Sequence, residues 1–290
     1  MFSKILVATD LSEASRRVIG CLGGLQALGA KEIILTHALG IRHLDYLKYE
    51  WIKSVEPVLF TQKKTLEKLG YKVKIEIGDS DPAWEINRIA DKEKASLIAI
   101  GTHGKSMLSH VLLGGVATEI MQTARKPLLI IRVHMTEAGN VTKCKVVCHD
   151  FKRALLFATD FSDTAQRAFT YVEKIVENGC KKVTLIHVQD KTRINPHLKN
   201  RLKGFNQIDQ ERLEMLKSKL IDKGAKRVDI LLPYGLPISE ILKASKKGEY
   251  SLIVMGSQGR GFVKELFLGS VSHNVVRQTS LPVFLVPAMR

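Results

Sequence analysis

Short apolar runs recur along the chain, and longer segments with helical spacing separate them. Residues 4–8, 32–36, 97–100 and 128–133 carry few internal charges, which predicts strands buried on both faces. Residues 73–77 alternate apolar and charged side chains, which suits a half-exposed edge strand. After Ser12, a good N-cap, Ala14, Val18, Leu22, Leu25 and Leu28 recur at three and four residues and predict a helix. Pro82 and Pro237 suit the first turn of a helix, where the missing N–H costs nothing. The helix from Pro237 turns Ile238, Ile241 and Leu242 inward, and strands are predicted at 183–187, 227–231, 252–255 and 283–286. Strand–helix alternation implies parallel sheets with right-handed crossovers.

The pattern occurs twice. Ile5-Leu-Val-Ala-Thr-Asp10-Leu-Ser12 recurs as Leu155-Leu-Phe-Ala-Thr-Asp160-Phe-Ser162, and His37 matches His187 at the same offset of 150. Later landmarks shift by 155: Pro82 with Pro237, Gly101 with Gly256, Gly104 with Gly259, Gly114 with Gly269 and Pro127 with Pro282. Self-similarity over this many Gly, Pro and Asp positions marks a tandem repeat. We expect domain one at 1–135, a linker at 136–151 carrying the Gly139-Asn140 turn signal, and domain two at 152–290. Each copy is read as a five-stranded α/β sandwich.

Composition narrows the class. The 290 residues are 45% hydrophobic and 26% charged, values of an ordinary globular protein rather than a disordered one. No apolar run approaches the roughly 18 residues that a bilayer span requires. The first ten residues carry only the short apolar run 5–8, so no export signal is expected. Four cysteines are too few for a disulfide scaffold, and a cytoplasmic location is expected. The formal charge of +16 is unevenly spread. Residues 1–140 hold 19 basic and 15 acidic side chains, and residues 141–290 hold 26 and 14. A basic half attracts phosphates.

In open parallel sheets, ligands bind beyond the carboxyl ends of the strands, where the strand order reverses. Ala158-Thr159-Asp160 follows the first strand of the second copy, and Gly256-Ser257-Gln258-Gly259 follows the fourth. Nine residues later come Gly269-Ser270 and a predicted helix. Glycines there let a ligand approach the backbone, and a helix N-terminus favours an anion by about 0.3–1 kcal/mol. This Gly-x2-Gly-x9-Gly-Ser spacing, set among the repeated β/α landmarks, resembles the ATP-binding branch of the universal stress protein family. The Ala-Thr-Asp end of strand one and the Leu-Ile-His-Val end of strand two add to the resemblance, which covers nearly the whole chain as two copies.

The resemblance implies a Rossmann-like fold of the adenine nucleotide alpha hydrolase type, with strand order 3-2-1-4-5 in each copy. It implies ATP or AMP as ligand, with Mg or Mn accompanying ATP. It places Asp160 on the adenosine and the Val188 backbone on adenine. Met255, Gly256, Ser257, Gln258, Gly259 and Arg260 would wrap ribose and phosphates, and Gly269, Ser270, Val271 and Ser272 would hold phosphate. The corresponding weaker second site comprises Thr9, Asp10, Ala38, Gly101, Thr102, His103, Gly104, Gly114, Gly115 and Val116. In this copy Gly115 and Ala117 replace two hydroxyl residues, so weak binding or none is expected. Association through last-strand edges would make a pseudo-dimer of the two copies, and a homodimer beyond it.

The expected function is a nucleotide-dependent stress-response sensor or regulator. The alternatives are a slow metal-dependent ATPase and a nucleotide-independent protein scaffold. Neither a P-loop, a nucleophile elbow nor a kinase His-Arg-Asp motif occurs, so efficient turnover is not expected. Cys144-x3-Cys148-His149 with His134 offers metal-type ligands, but an ordinary linker is the favoured reading. Cys21 and Cys180 are read as small packing residues. The basic segment 190–219 would lie at the pocket rim, where a solvated helix face with a loop is the favoured reading, and Arg193 or Lys199 near a triphosphate, or a partner-binding surface, are the alternatives. No aromatic stacking platform accompanies it, so nucleic acid is not an expected partner, nor is a membrane.

Overall fold

The computed structural model describes residues 2–40, 45–102, 113–138, 141–146, 150–194, 201–259 and 269–288. The chain divides into two compact units, Met1–His149 and Asp150–Met289.

The first unit runs β1 (Lys4–Ala8), α1 (Glu13–Gly20), a 3-10 helix (Leu22–Leu28), β2 (Glu32–Ala38), α2 (Asp45–Lys68), β3 (Lys72–Gly78), α3 (Pro82–Lys92), β4 (Leu97–Gly101), α4 (Gly115–Thr123) and β5 (Leu128–Ile131). Its sheet is parallel, in the order β3-β2-β1-β4-β5. Ile5, Leu6, Val7, Ile33, Ile34, Leu35, Leu97 and Ile98 are buried, as strands covered by helices on both faces require. The alternating strand β3 is the edge strand.

Three details differ from the expected pattern. The helix after Ser12 stops at Gly20 and continues as 3-10, with Cys21 N–H donating to the Val18 carbonyl at 2.9 Å. The cause is local: Gly23 and Gly24 are poor helix formers, so the apolar spacing survives while the α-helical ladder does not. Cys21 is disulfide-bonded rather than a packing residue, whereas Cys180 is a buried free thiol. The stretch after β5 forms an antiparallel pair, β6 (Val133–Ala138) and β7 (Val141–Val146), with Val133 opposite Val146.

The second unit runs β8 (Leu155–Ala158), α5 (Asp163–Glu177), β9 (Lys182–Ile186), β10 (Gln189–Asp190), α6 (Lys191–Ile194), α7 (Leu202–Asp222), β11 (Arg227–Leu231), β12 (Tyr234–Gly235), α8 (Pro237–Lys247), β13 (Leu252–Gly256), α9 (Ser270–Gln278) and β14 (Val283–Val286). The parallel order is β11-β9-β8-β13-β14, the same 3-2-1-4-5 winding. The chain steps outward from β8 to β9 to β11, then crosses back to place β13 on the other side of β8. That reversal opens a crevice above β8 and β13. The short parallel pair β10 and β12 extends the wall beyond β9 and β11. Along α7, Leu213 and Leu220 are fully buried, which seats the helix on the sheet. No helix among the described residues is long and apolar enough to cross a membrane.

Candidate functional site

A cavity of about 800 Å³ lies at this crevice, within the second unit. Ala158, Thr159, Asp160, Val188, Met255, Gly256, Gln258, Gly259, Gly269, Ser270, Val271 and Ser272 all line it. Ser257 stands behind the wall, 5% exposed. Its N–H donates to Val286 O at 2.8 Å, and its carbonyl accepts from Gly269 N at 2.8 Å and Ser272 Oγ at 2.7 Å. Ser257 therefore fixes the distance between the β13 loop and the start of α9. Arg260 lies outside the described residues, as do His103, Gly104, Lys199, Cys148 and His149.

The turn after β8 has a specific build. Thr159 Oγ1 accepts from Phe161 N at 3.0 Å, and Asp160 Oδ1 accepts from Ser162 N at 3.1 Å. Phe161 adopts φ of +59°, an unusual conformation for a bulky side chain. Leu11 repeats it in the first unit at +65°. This left-handed step turns the chain sharply from strand to helix, and Asp160 sits on the cavity side of the turn. Ser162 then caps α5 by accepting from Ala165 N at 3.2 Å.

Three glycines are explained by close approach. A Cβ on Gly259 would come within 2.7 Å of Asp160 Oδ2. One on Gly256 would meet Thr164 Cγ2 at 2.9 Å, at the start of α5. One on Gly269 would meet Ser257 O at 3.0 Å. Gly269 is also the N-cap of α9 and supplies no side-chain hydrogen bond. The opening amides of α9 therefore have no side-chain cap, and they face the cavity lined by Ser270, Val271 and Ser272.

The opposite wall comes from elements whose role the linear pattern does not reveal. His187 Nδ1 donates to the Thr159 carbonyl at 2.8 Å, because a carbonyl only accepts. Its Nε2 then faces Asp209 Oδ2 of α7 at 3.4 Å. Gln189 Nε2 donates to the same oxygen at 3.2 Å, and Arg212 lies 3.6 Å from Oδ1. The Phe161 ring packs between His187 (centroids 4.6 Å apart) and the Arg212 guanidinium at 5.3 Å. Asp209 thus ties α7 to the strand ends as one wall of the cavity. Arg193 and Arg212 reach the rim and are already partnered by Asp190 and Asp209 at 3.7 and 3.6 Å. Phe205, Ile208 and Ile241 add apolar surface. Sequence reading places the basic segment at the rim but misses Asp209 as the anchor; the only sequence signal is the apolar spacing Leu213–Leu216–Leu220, which orients α7.

The first unit differs at the same positions. Asp10 Oδ1 accepts from Ser12 N at 3.1 Å, Ser12 Oγ at 2.6 Å and Ser15 Oγ at 2.5 Å. Ser15 corresponds to Ala165, which has no hydroxyl and lines the cavity of the second unit. Thr9 and Thr102 are buried, with Thr102 Oγ1 accepting from Val133 N at 3.1 Å and its carbonyl accepting from Gly114 N at 3.0 Å. Ala38 and Gly101 end their strands half-buried, and Gly115 and exposed Val116 open α4. The loop scaffold is kept, but Asp10 is engaged by neighbouring hydroxyls. Among the described residues, no three His, Cys, Asp or Glu side chains cluster as a metal site.

A doubly wound parallel sheet, built twice, with a cavity at the strand-order reversal of the second copy, defines a tandem α/β protein with a candidate binding site in that copy. The universal stress protein family model matches residues 1–132 and again 152–287, and the chain belongs to that family as a two-domain member. It is 32% identical over 155 residues to universal stress protein MJ0577 of Methanocaldococcus jannaschii, covering 46% of this chain and 94% of that protein. It is 29% identical over 146 residues to universal stress protein YxiE of Bacillus subtilis, covering 46% and 97%. A crystal structure of a universal stress protein from Archaeoglobus fulgidus matches with a TM-score of 0.76 at 26% identity, covering 99% of both chains. MJ0577 and YxiE therefore correspond to about one copy, and the Archaeoglobus fulgidus protein to the tandem.

Proposed function

We propose that the second domain binds an adenine nucleotide, ATP or AMP, and that the protein acts as a nucleotide-dependent regulator in a stress response. The observation that carries this reading is the α9 N-terminus without a side-chain cap, opening onto the same cavity as Asp160 and the glycine loop. An anion supplied from outside satisfies amides that the chain leaves without a side-chain partner. In this reading the phosphates lie between Gly256, Gly259, Gly269 and Ser270, and Ser272 holds the loop through Ser257 and the Gly269 carbonyl (2.9 Å). Asp160 accepts from the ribose, and the Val188 backbone meets the base in the apolar part of the cavity. Mg or Mn would enter with the triphosphate. Turnover is not part of the proposal.

The first domain, with Asp10 held by Ser12 and Ser15 and without the serines at 115 and 117, is proposed to bind nucleotide weakly or not at all. Titration of nucleotide-stripped full-length protein with ATP and with AMP tests the reading by calorimetry. One site per chain is expected. No heat with either ligand, and no nucleotide released from the untreated protein on denaturation, would overturn it.

A further inference from the structure

The cavity occupies the carboxyl end of the second sheet. The amino end of the same sheet carries a different chemistry. Lys226 precedes β11, Lys181 precedes β9, Lys182 opens β9, and Lys246 and Lys247 close α8 on its return towards β13. All five are exposed, and none has an ion pair among the described residues. Glu177 and Asp229 are already engaged by Lys223 at 2.7 Å and Arg227 at 2.8 Å. The backbone places the lysines together: Lys226 N donates to Lys181 O at 2.9 Å, and Arg227 stands opposite Lys182 in the sheet register. At about 4.8 Å between neighbouring strands, the starts of β11, β9, β8 and β13 span about 14 Å.

The first domain is an internal control. Its helices also end at this edge, so dipole compensation alone would treat both copies alike. Yet position 182 corresponds to Glu32, which bridges Lys4 at 3.3 Å and Lys72 at 3.8 Å. Position 246 corresponds to Asp91, which pairs with Lys126 at 3.2 Å and Arg125 at 3.6 Å. At these two positions the second copy has lysine for carboxylate. Glu249 for Lys94 is the opposite change, and Ala154, Ser280 and Leu281 stand where the first copy has Lys4, Arg125 and Lys126. The second edge therefore keeps its cations without the carboxylate bridges of the first.

From this we propose that the amino edge of the second sheet binds the phosphodiester backbone of a nucleic acid without reading its sequence. A row of cations along a sheet edge follows a linear polyanion better than a planar bilayer. Beside it Ala154, Val183, Ala225 and Val228 are buried, Tyr250 is half-buried and Ile221 is 49% exposed, so phosphate contacts rather than a stacking platform or an inserted apolar face carry the proposed binding. The missing aromatic platform, which disfavours a base-reading mode, is no obstacle to backbone binding. Affinity in the non-specific range, about 10⁻⁴ to 10⁻⁶ M, is expected, falling steeply with salt.

The test is fluorescence anisotropy of full-length protein with two short DNA duplexes of unrelated sequence, from about 50 to about 200 mM salt. The double variant Lys182→Glu/Lys246→Asp restores the first copy's carboxylates. The control Lys191→Glu/Lys203→Asp makes the same charge change at the cavity end of the unit. The proposal expects equal binding of both duplexes, at least about tenfold weaker in the first variant and near wild type in the control, with a shallower salt slope in the first. Circular dichroism of both variants checks that the fold is intact. Equal losses in the two variants would reduce the effect to net charge and overturn the proposal. So would wild-type binding by Lys182→Glu/Lys246→Asp, or binding to phosphatidylserine vesicles without binding to either duplex.

Discussion

Ser15 and Ala165 occupy equivalent places, and this hydroxyl is one of the differences between the two sites, beside Gly115 for Ser270 and Ala117 for Ser272. Ser15 donates to Asp10, whereas Ala165 leaves the Asp160 side of the cavity without that donor. Introducing the hydroxyl by Ala165→Ser should engage Asp160 as Asp10 is engaged and weaken ATP binding several-fold. A net hydrogen bond is worth about 0.5–1.5 kcal/mol, and the change should read as that order of loss in a titration. Cys180 gives a second residue-scale prediction. It is fully buried, burial pushes its thiol pKa up, and the thiolate is the reactive form. Alkylation followed by mass spectrometry should leave Cys180 unmodified in the native protein and label it readily after denaturation; fast native labelling would contradict the packing described. The glycine spacing and Asp160 were legible from sequence because each has a repeated partner. Asp209 was not, because its contacts with His187 and Gln189 join segments twenty residues apart through a helix docked from outside the sheet.

At the scale of elements, strand–helix alternation predicts parallel sheets, the order of their strands rests on the family resemblance, and the alternating pattern of β3 marks an edge. What escaped the pattern was the local end of α1, where Gly23 and Gly24 convert helix to 3-10, and the pairing of β6 with β7 after β5. Helix α7 is the element on which the cavity wall depends. Its 21 residues have weak amphipathic character, yet Leu213 and Leu220 are wholly enclosed. Leu213→Ala should cost about 2–5 kcal/mol through lost burial and the cavity left behind. Thermal or denaturant unfolding measures the loss, and a change under about 0.5 kcal/mol would mean that α7 rests loosely on the sheet.

For the whole molecule, the tandem repeat was the clearest message of the sequence, and both copies build the same five-stranded order. The charge imbalance was equally plain as a sum, but its arrangement was not. Lys181, Lys226 and Lys246 are far apart in the chain, and only the parallel sheet brings their segments to one edge. The two copies keep one scaffold and diverge at both ends of it: hydroxyls at the carboxyl end, carboxylates against lysines at the amino end.

The asymmetry of the two nucleotide sites is tested most directly by titrating ATP into Gly269→Asp and, separately, Gly114→Asp. Gly269 has φ −61° and ψ 139°, which strains no residue, and aspartate is a favoured N-cap. A Cβ there would press the Ser257 carbonyl at 3.0 Å, against 3.6 Å to Thr102 O at Gly114, so circular dichroism and thermal unfolding of both variants accompany the titration. The introduced carboxylate should take the α9 amides that the phosphate requires and repel the phosphate itself. Gly269→Asp should abolish ATP binding, while Gly114→Asp should leave one site at wild-type affinity. Unchanged binding in Gly269→Asp, or equal losses in both variants, would contradict the asymmetry.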